Sequence, residues 1–306
     1  MTAIGQSRAS PPLRFHDKIK SGPVVSIILP CWNALGFTRA CIRQIEKWTS
    51  SPYELILIDN GSIDGTARWL DAFRNKISKV SSRQSHPLKR IHVISNPVNR
   101  GYTAAMNQGL AAGRGEYLVF GNADAAVSPF WLEGMLAAFQ ARSCIGAISP
   151  LSNILAEEAW HWPGFYKNFS EMERFAIALF MKNQKNPFTL SEEFIPGYWL
   201  MCRRSDVLDL GGFDESFHPG PYADTDLQWR LRRAGLTLGF ADQSFVHHCG
   251  SAICKANKVD PRKLYSSRRH LTLLRSKHED LRHIFLKVRT PIQEFIFCPD
   301  ILPQID

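Results

Sequence analysis

No uninterrupted apolar run in the chain approaches the ~18 residues that a membrane-spanning helix needs. Residues Met1 to Ser21 carry Arg8, Arg14, Lys18 and Lys20 but no apolar core segment, so they are expected to be a flexible leader and not a secretory signal. Cysteine is scarce and odd in number. Seven thiols scattered over 306 residues form no disulfide framework, and reduced cysteines in a cytoplasmic protein are the expectation. Three catalytic signatures are also missing. No Gly-x-Gly-x-x-Gly follows the first apolar stretch and no Gly-Lys-Ser/Thr loop is present, which argues against a dinucleotide oxidoreductase and a P-loop hydrolase. Without a Gly-x-Ser-x-Gly elbow, a serine hydrolase is not indicated either.

Acidic residues are in deficit, 28 against 37 Lys and Arg, and the net charge of +9 suggests an anionic partner. Part of the excess gathers late. Lys255 to Arg289 holds eleven Lys/Arg against three acidic residues, interleaved with Leu264, Leu271, Leu274, Leu281 and Leu286. A solvated helix face and an amphipathic segment lying on an anionic membrane both fit that pattern. Nucleic acid is not expected as a partner, because Lys/Arg do not alternate with aromatics across the strands.

What is present has the rhythm of an α/β domain. Val24 to Leu29, Glu54 to Ile58, Arg90 to Ile94 and Tyr117 to Phe120 are short apolar runs suited to strands buried on both faces. Helical spacing separates them: Phe37 to Trp48, a helix after Asp64-Gly-Thr66 that runs through Phe73, and small-residue Tyr102 to Ala112. Alternation of this kind means βαβ units and a parallel sheet. Leu151 to Ser191 breaks the rhythm and reads as a partly helical insertion, with Trp160 and Trp162 able to stack on a sugar or to form a satellite core. Strand character is expected again at Glu193 to Arg204 and Leu236 to His248, with a turn at Gly211 to Asp214 and a helix over Asp224 to Ala234 between them.

The chain is organised around Glu116-Tyr-Leu-Val-Phe-Gly-Asn-Ala-Asp124. Ligands in open parallel sheets bind beyond the carboxyl ends of strands, where Asn122 and Asp124 stand one residue apart. Oxygen-bearing side chains so placed can face one hard cation, or they can shape a turn and cap a helix. Other candidates at strand ends or helix starts are Asp59, Asp224 with Asp226, and His247 with His248. The histidines together with Cys249 and Cys254 lack the spacing of a structural zinc site.

From about Val24 to Ser251 the chain resembles the family 2 inverting glycosyltransferases, which have the Rossmann-like GT-A fold. The resemblance rests on Val25-Ser-Ile-Ile-Leu-Pro-Cys-Trp-Asn33, Ile58-Asp-Asn-Gly-Ser-Ile-Asp-Gly-Thr66, Asn99-Arg-Gly-Tyr-Thr-Ala-Ala-Met-Asn107, Gly121-Asn-Ala-Asp124, Gly211-Gly-Phe-Asp-Glu215 and Ala223-Asp-Thr-Asp-Leu-Gln-Trp-Arg230, all in register. It implies an α/β fold with a mostly parallel central sheet flanked by helices. Residues 22–150 would be the nucleotide-sugar half and 151–254 the acceptor half, followed by a basic helical tail over 255–306. It also implies transfer of a sugar from a UDP-, GDP- or dTDP-sugar to a glycan or lipid-linked hydroxyl, with Mg2+ or Mn2+ assisting. Asp59 would contact base or ribose, Asn33 the same loop, and Arg100 phosphate. Asn122 and Asp124 occupy the metal-and-diphosphate position, His247 would complete the metal site, and Asp224 would be the general base. A cytoplasmic enzyme touching the inner face of a membrane through its tail is the expected setting. Two departures matter: Asn122 and Ala223 both replace acidic residues. The alternative is a nucleotide-sugar-binding protein with impaired catalysis.

Overall fold

The computed structural model describes residues 25–78, 86–153, 166–260, 263–264 and 268–278. The leader, Trp160 and Trp162, and the chain after 278 lie outside the described residues. The elements alternate through the first half: β1 (Val25–Cys31), α1 (Leu35–Trp48), β2 (Tyr53–Asn60), α2 (Thr66–Ser78), β3 (Leu88–Asn96), α3 (Gly101–Ala112) and β4 (Tyr117–Phe120). Then follow β5 (Ala125–Val127), α4 (Trp131–Ala141), β6 (Ile145–Leu151), α5 (Phe169–Lys182), β7 (Phe188–Ser191), β8 (Leu200–Arg203), α6 (Arg204–Asp209), α7 (Ala223–Arg233), β9 (Thr237–His248), α8 (Ala252–Ala256) and α9 (Arg268–Lys277).

The central sheet runs β3-β2-β1-β4 with every pairing parallel. Beyond β4 it continues as β8-β6-β9-β5, where β8 is antiparallel to both neighbours and β9 is parallel to β6. β1 shows why this sheet lies between two helical layers. Val25, Ile27 and Leu29 point into one core with Cys41, Ile42 and Ile45 of α1, and Ile28 points into another with Ala105, Met106 and Leu110 of α3. Burial of each such side chain contributes ~1.5–3 kcal/mol, so a strand apolar on both faces requires helices on both. The small residues of α3 allow a close approach: a Cβ on Gly109 would lie 2.2 Å from Ile28 Cγ2.

Three strands escape the sequence pattern. β5 is too short to show alternation, β6 carries Gly146 and Pro150, and β7 lies in the stretch read as an insertion, about half of whose described part is α5. Conversely, the strand expected over Glu193 to Arg204 shrinks to Leu200–Arg203. Within the segment expected as a basic tail, α9 packs onto the domain: Leu274 is fully buried in the second core. No helix among the described residues is long and apolar enough to cross a membrane.

Candidate active site

The first wall of the crevice is the turn after β2. Asp59 is buried, and its Oδ1 accepts the Ser62 amide at 3.2 Å. Gly61 sits at φ +77°, where a Cβ would lie 2.6 Å from the Val98 carbonyl carbon, so the turn is pressed against the β3–α3 loop. Asn33, itself at φ +52°, pins the same turn. Its Oδ1 accepts Ile63 N–H at 2.7 Å, its own N–H donates to Ser62 Oγ at 2.8 Å, and its Nδ2 donates to Asn257 Oδ1. Its side-chain amide is thereby engaged in holding loops together. Arg100 is the residue before α3, with its backbone N–H on Asn60 Oδ1 at 3.0 Å and its side chain exposed.

The floor is the end of β4. Gly121 leaves room for neighbours: a Cβ there would meet Leu29 Cδ2 at 2.7 Å and the Trp199 ring at 3.2 Å. Beyond it, Asn122 Oδ1 is buried without a hydrogen-bond partner. Asp124 is buried, its Oδ2 accepts Ile253 N–H at 3.3 Å, and its Oδ1 lies 3.6 Å from His248 Nε2. His247, the histidine expected at this site, is directed elsewhere. In the β5–β9 pairing Ala125 faces His248 and Ala126 faces His247, so successive histidines leave the strand on opposite sides. The side chain of His247 goes to Tyr166, 2.5 Å from its hydroxyl, and burial followed by the neighbouring His248 lowers its pKa to about 4. His248 is the imidazole beside Asp124. Burial, helped by Asp124, pushes the Cys249 thiol up to about 12 and raises Cys254. No group of three or more His, Cys, Asp or Glu among the described residues is arranged to hold a metal.

The remaining candidate carboxylates stand at the N-terminus of α7. Asp224 keeps partial exposure, yet desolvation raises its pKa above the ordinary carboxylate value, against lowering by the amides of Thr225 and Asp224 itself. The backbone of Gly197 covers it so closely that a Cβ there would sit 1.7 Å from Asp224 Oδ2. Asp226, two residues on, is committed elsewhere. It is 1% exposed, pairs with Arg230 through Nε and Nη2 at 2.8 Å each, and lies 2.8 Å from His278 Nε2. Ala223 has its Cβ in the core with Phe217, Leu227 and Leu231, so that position contributes to packing and not to the crevice. Non-glycine residues with positive φ recur in the loops around this site: Asn33, Ala34, Trp199, Tyr222 and Ser251. Backbone strain of ~1–3 kcal/mol each persists only where surrounding packing over-determines it, and it concentrates at functional sites.

The structure thus sets Asp124 beside His248, with the orphaned Asn122 Oδ1 two residues earlier in the chain, and Asp224 under Gly197 on α7. Sequence reasoning missed Gly197 as a cover for Asp224. Its occurrence in Pro196-Gly-Tyr-Trp199, without a side chain, was the available signal.

Residues 26–208 match the family model described as "Glycosyl transferase family 2". A pre-mycofactocin glycosyltransferase of Mycobacterium tuberculosis is 29% identical over 160 residues, 52% of this chain and 32% of its own length. An uncharacterized glycosyltransferase of Haemophilus influenzae is 31% identical over 136 residues, 44% of this chain and 39% of its own. The chain therefore spans only about a third of the length of these curated relatives. Among solved structures, a mannosyltransferase from Pyrobaculum calidifontis in complex with GDP-Man and Mn2+ superposes with a TM-score of 0.55 at 16% identity, covering 88% of this chain and 65% of that one. GalNAc-T7 with UDP, GalNAc and Mn2+ gives 0.55 at 14% identity, covering 84% and 55%. At such identities the likeness is one of fold, which is GT-A.

Proposed function

The chain belongs to glycosyl transferase family 2, and from that premise we propose that it transfers a sugar, with inversion, from a nucleoside-diphosphate donor to a hydroxyl acceptor. The observation that carries this reading is the division of labour between two carboxylates on α7. Asp226 is paired with Arg230 and hydrogen-bonded to His278, whereas Asp224 is left partly exposed, without an ion-pair partner among the described residues, and raised in pKa. A carboxylate whose charge is disfavoured by its surroundings is a better proton acceptor than an ordinary aspartate, as inversion demands of the group that deprotonates the acceptor.

Residues 22–150 are assigned to the donor and 151–254 to the acceptor. Asp59 would hold base or ribose, with Asn33 fixing the loop that presents it, and the exposed Arg100 would meet phosphate. The donor set at the end of β4 suits Mg2+ or Mn2+: one carboxylate (Asp124), one imidazole (His248) and the orphaned amide oxygen of Asn122. Such an ion would supply Lewis-acid neutralisation of the leaving diphosphate. A neutral Asn122 leaves Asp124 as the sole protein carboxylate there, so the donor's own phosphates would complete the shell. The solved GT-A structures bound to GDP-Man or UDP with Mn2+ support a nucleotide-sugar and metal reading by fold. A cytoplasmic setting, and a membrane contact through the basic segment after Lys255, complete the proposal.

Calorimetric titration of UDP, GDP and dTDP with Mn2+, Mg2+ or EDTA tests the donor site. Metal-dependent binding of one nucleotide, lost in Asp124→Ala and weakened in His248→Ala, is expected. Binding indifferent to metal and to both substitutions would remove the metal role, and no nucleotide binding at all would sink the transferase reading.

A further inference from the structure

The outer face of α5 departs from what a surface helix normally shows. Its inner stripe, Met172, Ala176 and Leu179, packs on Phe245 and Leu151 as expected. The opposite stripe should be polar, yet Ile177 is 42% and Met181 65% exposed. Phe130, 39% exposed, adds to them across its ring stack with Phe180 (centroids 4.4 Å, planes 19° apart). Phe130 is held at φ +63°, a strained backbone for a bulky residue, so a ring is presented at the surface in spite of local cost. Around these apolar groups stand Arg174, Lys182 and Lys185, all exposed, and the sequence from Arg174 to Lys185 contains no acidic residue.

The geometry points to this face as a docking surface for an anionic lipid bilayer. Exposed apolar side chains on one helix face with a basic rim are the chemistry that seats a helix in a headgroup region. A second copy of the chain fits less well, because a two-fold contact would bring the same basic rim against itself. This surface belongs to a different stretch of the sequence from the basic segment after Lys255. It is tied to the candidate site through Tyr166, which precedes α5 and bonds His247, the neighbour of His248 on β9. Docking there would orient the crevice relative to a membrane-borne acceptor.

Vesicle co-sedimentation of the full chain tests the surface without any turnover, so its outcome is independent of the transferase reading. Phosphatidylcholine vesicles with and without phosphatidylglycerol are the probes, compared for wild type, an Ile177→Glu/Met181→Glu variant and an Arg174→Ser/Lys182→Ser/Lys185→Ser variant. Thermal unfolding checks that each is folded, and Met181→Ser serves as a milder second probe. Wild type should sediment only with the anionic vesicles. The basic-rim variant should lose roughly fivefold in partitioning per removed charge, with the loss shrinking as salt rises. The apolar variant should lose tenfold or more. No sedimentation of wild type, or wild-type sedimentation by both folded variants, would overturn the proposal. So would a change confined to oligomeric state in light scattering.

Discussion

Asp224 and Asp226 share a helix turn, yet the structure gives them opposite consequences on removal of charge. Asp226 is the buried anchor of Arg230 and His278. Asp226→Asn keeps its shape but leaves the guanidinium facing a neutral amide. Breaking a buried pair costs ~3–5 kcal/mol. Arg230 also donates to the Leu210 and Gly212 carbonyls at 2.8 Å and stays partly satisfied, so the low end, about 3 kcal/mol, applies. For a domain of this size that is a fall of roughly 6–10 °C in melting temperature. Asp224 behaves otherwise. Its folded pKa is raised, so the stability linked to its protonation is present below the ordinary value of 3.8 and lost as pH rises through the folded value. At neutral pH its ionised form is a net cost, and Asp224→Asn should melt at or above the wild-type temperature. Turnover, followed as release of nucleoside diphosphate from the nucleotide sugar, should drop by about 10²–10⁴ in Asp224→Asn, the range of general-base contributions. A folded Asp224→Asn enzyme with wild-type turnover would refute the reasoning. So would an Asp226→Asn enzyme that melts normally and carries the larger catalytic loss.

Gly197→Ala should act as a steric equivalent of losing the base: its Cβ displaces the Asp224 carboxylate, and a misplacement of about 1 Å is worth ~10² in turnover. Nucleotide affinity by calorimetry should stay unchanged in that variant; equal losses in binding and turnover would mean a general collapse of the crevice. The acid limb of the pH–rate profile should lie above pH 3.8, because the raised pKa of Asp224 moves loss of the base upward. A limb at or below that value in steady-state kinetics would contradict the assignment. Asp242 offers a control remote from catalysis. It is buried, raised in pKa by desolvation, and has Oδ2 on Thr189 Oγ1 while Oδ1 is unpartnered. Asp242→Asn should therefore stabilise the protein at neutral pH and flatten the loss of stability as pH rises through the Asp242 pKa. Urea unfolding across pH that shows destabilisation instead would mean its charge has a partner.

The first half of the chain was legible in the sequence because strands buried on both faces write themselves as unbroken apolar runs. β1 and β2 were found to within one or two residues for that reason. The second half hides its strands, since β6 contains Gly146 and Pro150 and bends its register with β9 at Pro150/Leu151. His248 could have been read from period two alone. Once Phe245 is taken as core, His247 shares its face and His248 takes the other. Nothing local in the sequence foretells that Asn257 bonds Asn33, because that contact joins loops distant along the chain.

The position of β9 has a consequence for the chain during its synthesis. β1 to β4 pair with one another in a parallel block that is complete by Phe120, its β4 edge left for β8. β5, β6 and β7 all hydrogen-bond to β9, which comes later than any of them. About 110 residues separate the end of β5 from the start of β9, so at ~5–20 residues per second a ribosome leaves the β5 edge waiting roughly 5–20 s, and those of β6 and β7 for less. A nascent chain arrested before Thr237 would carry the parallel β1–β4 block beside unpaired strand edges, the form in which holdase chaperones would meet it.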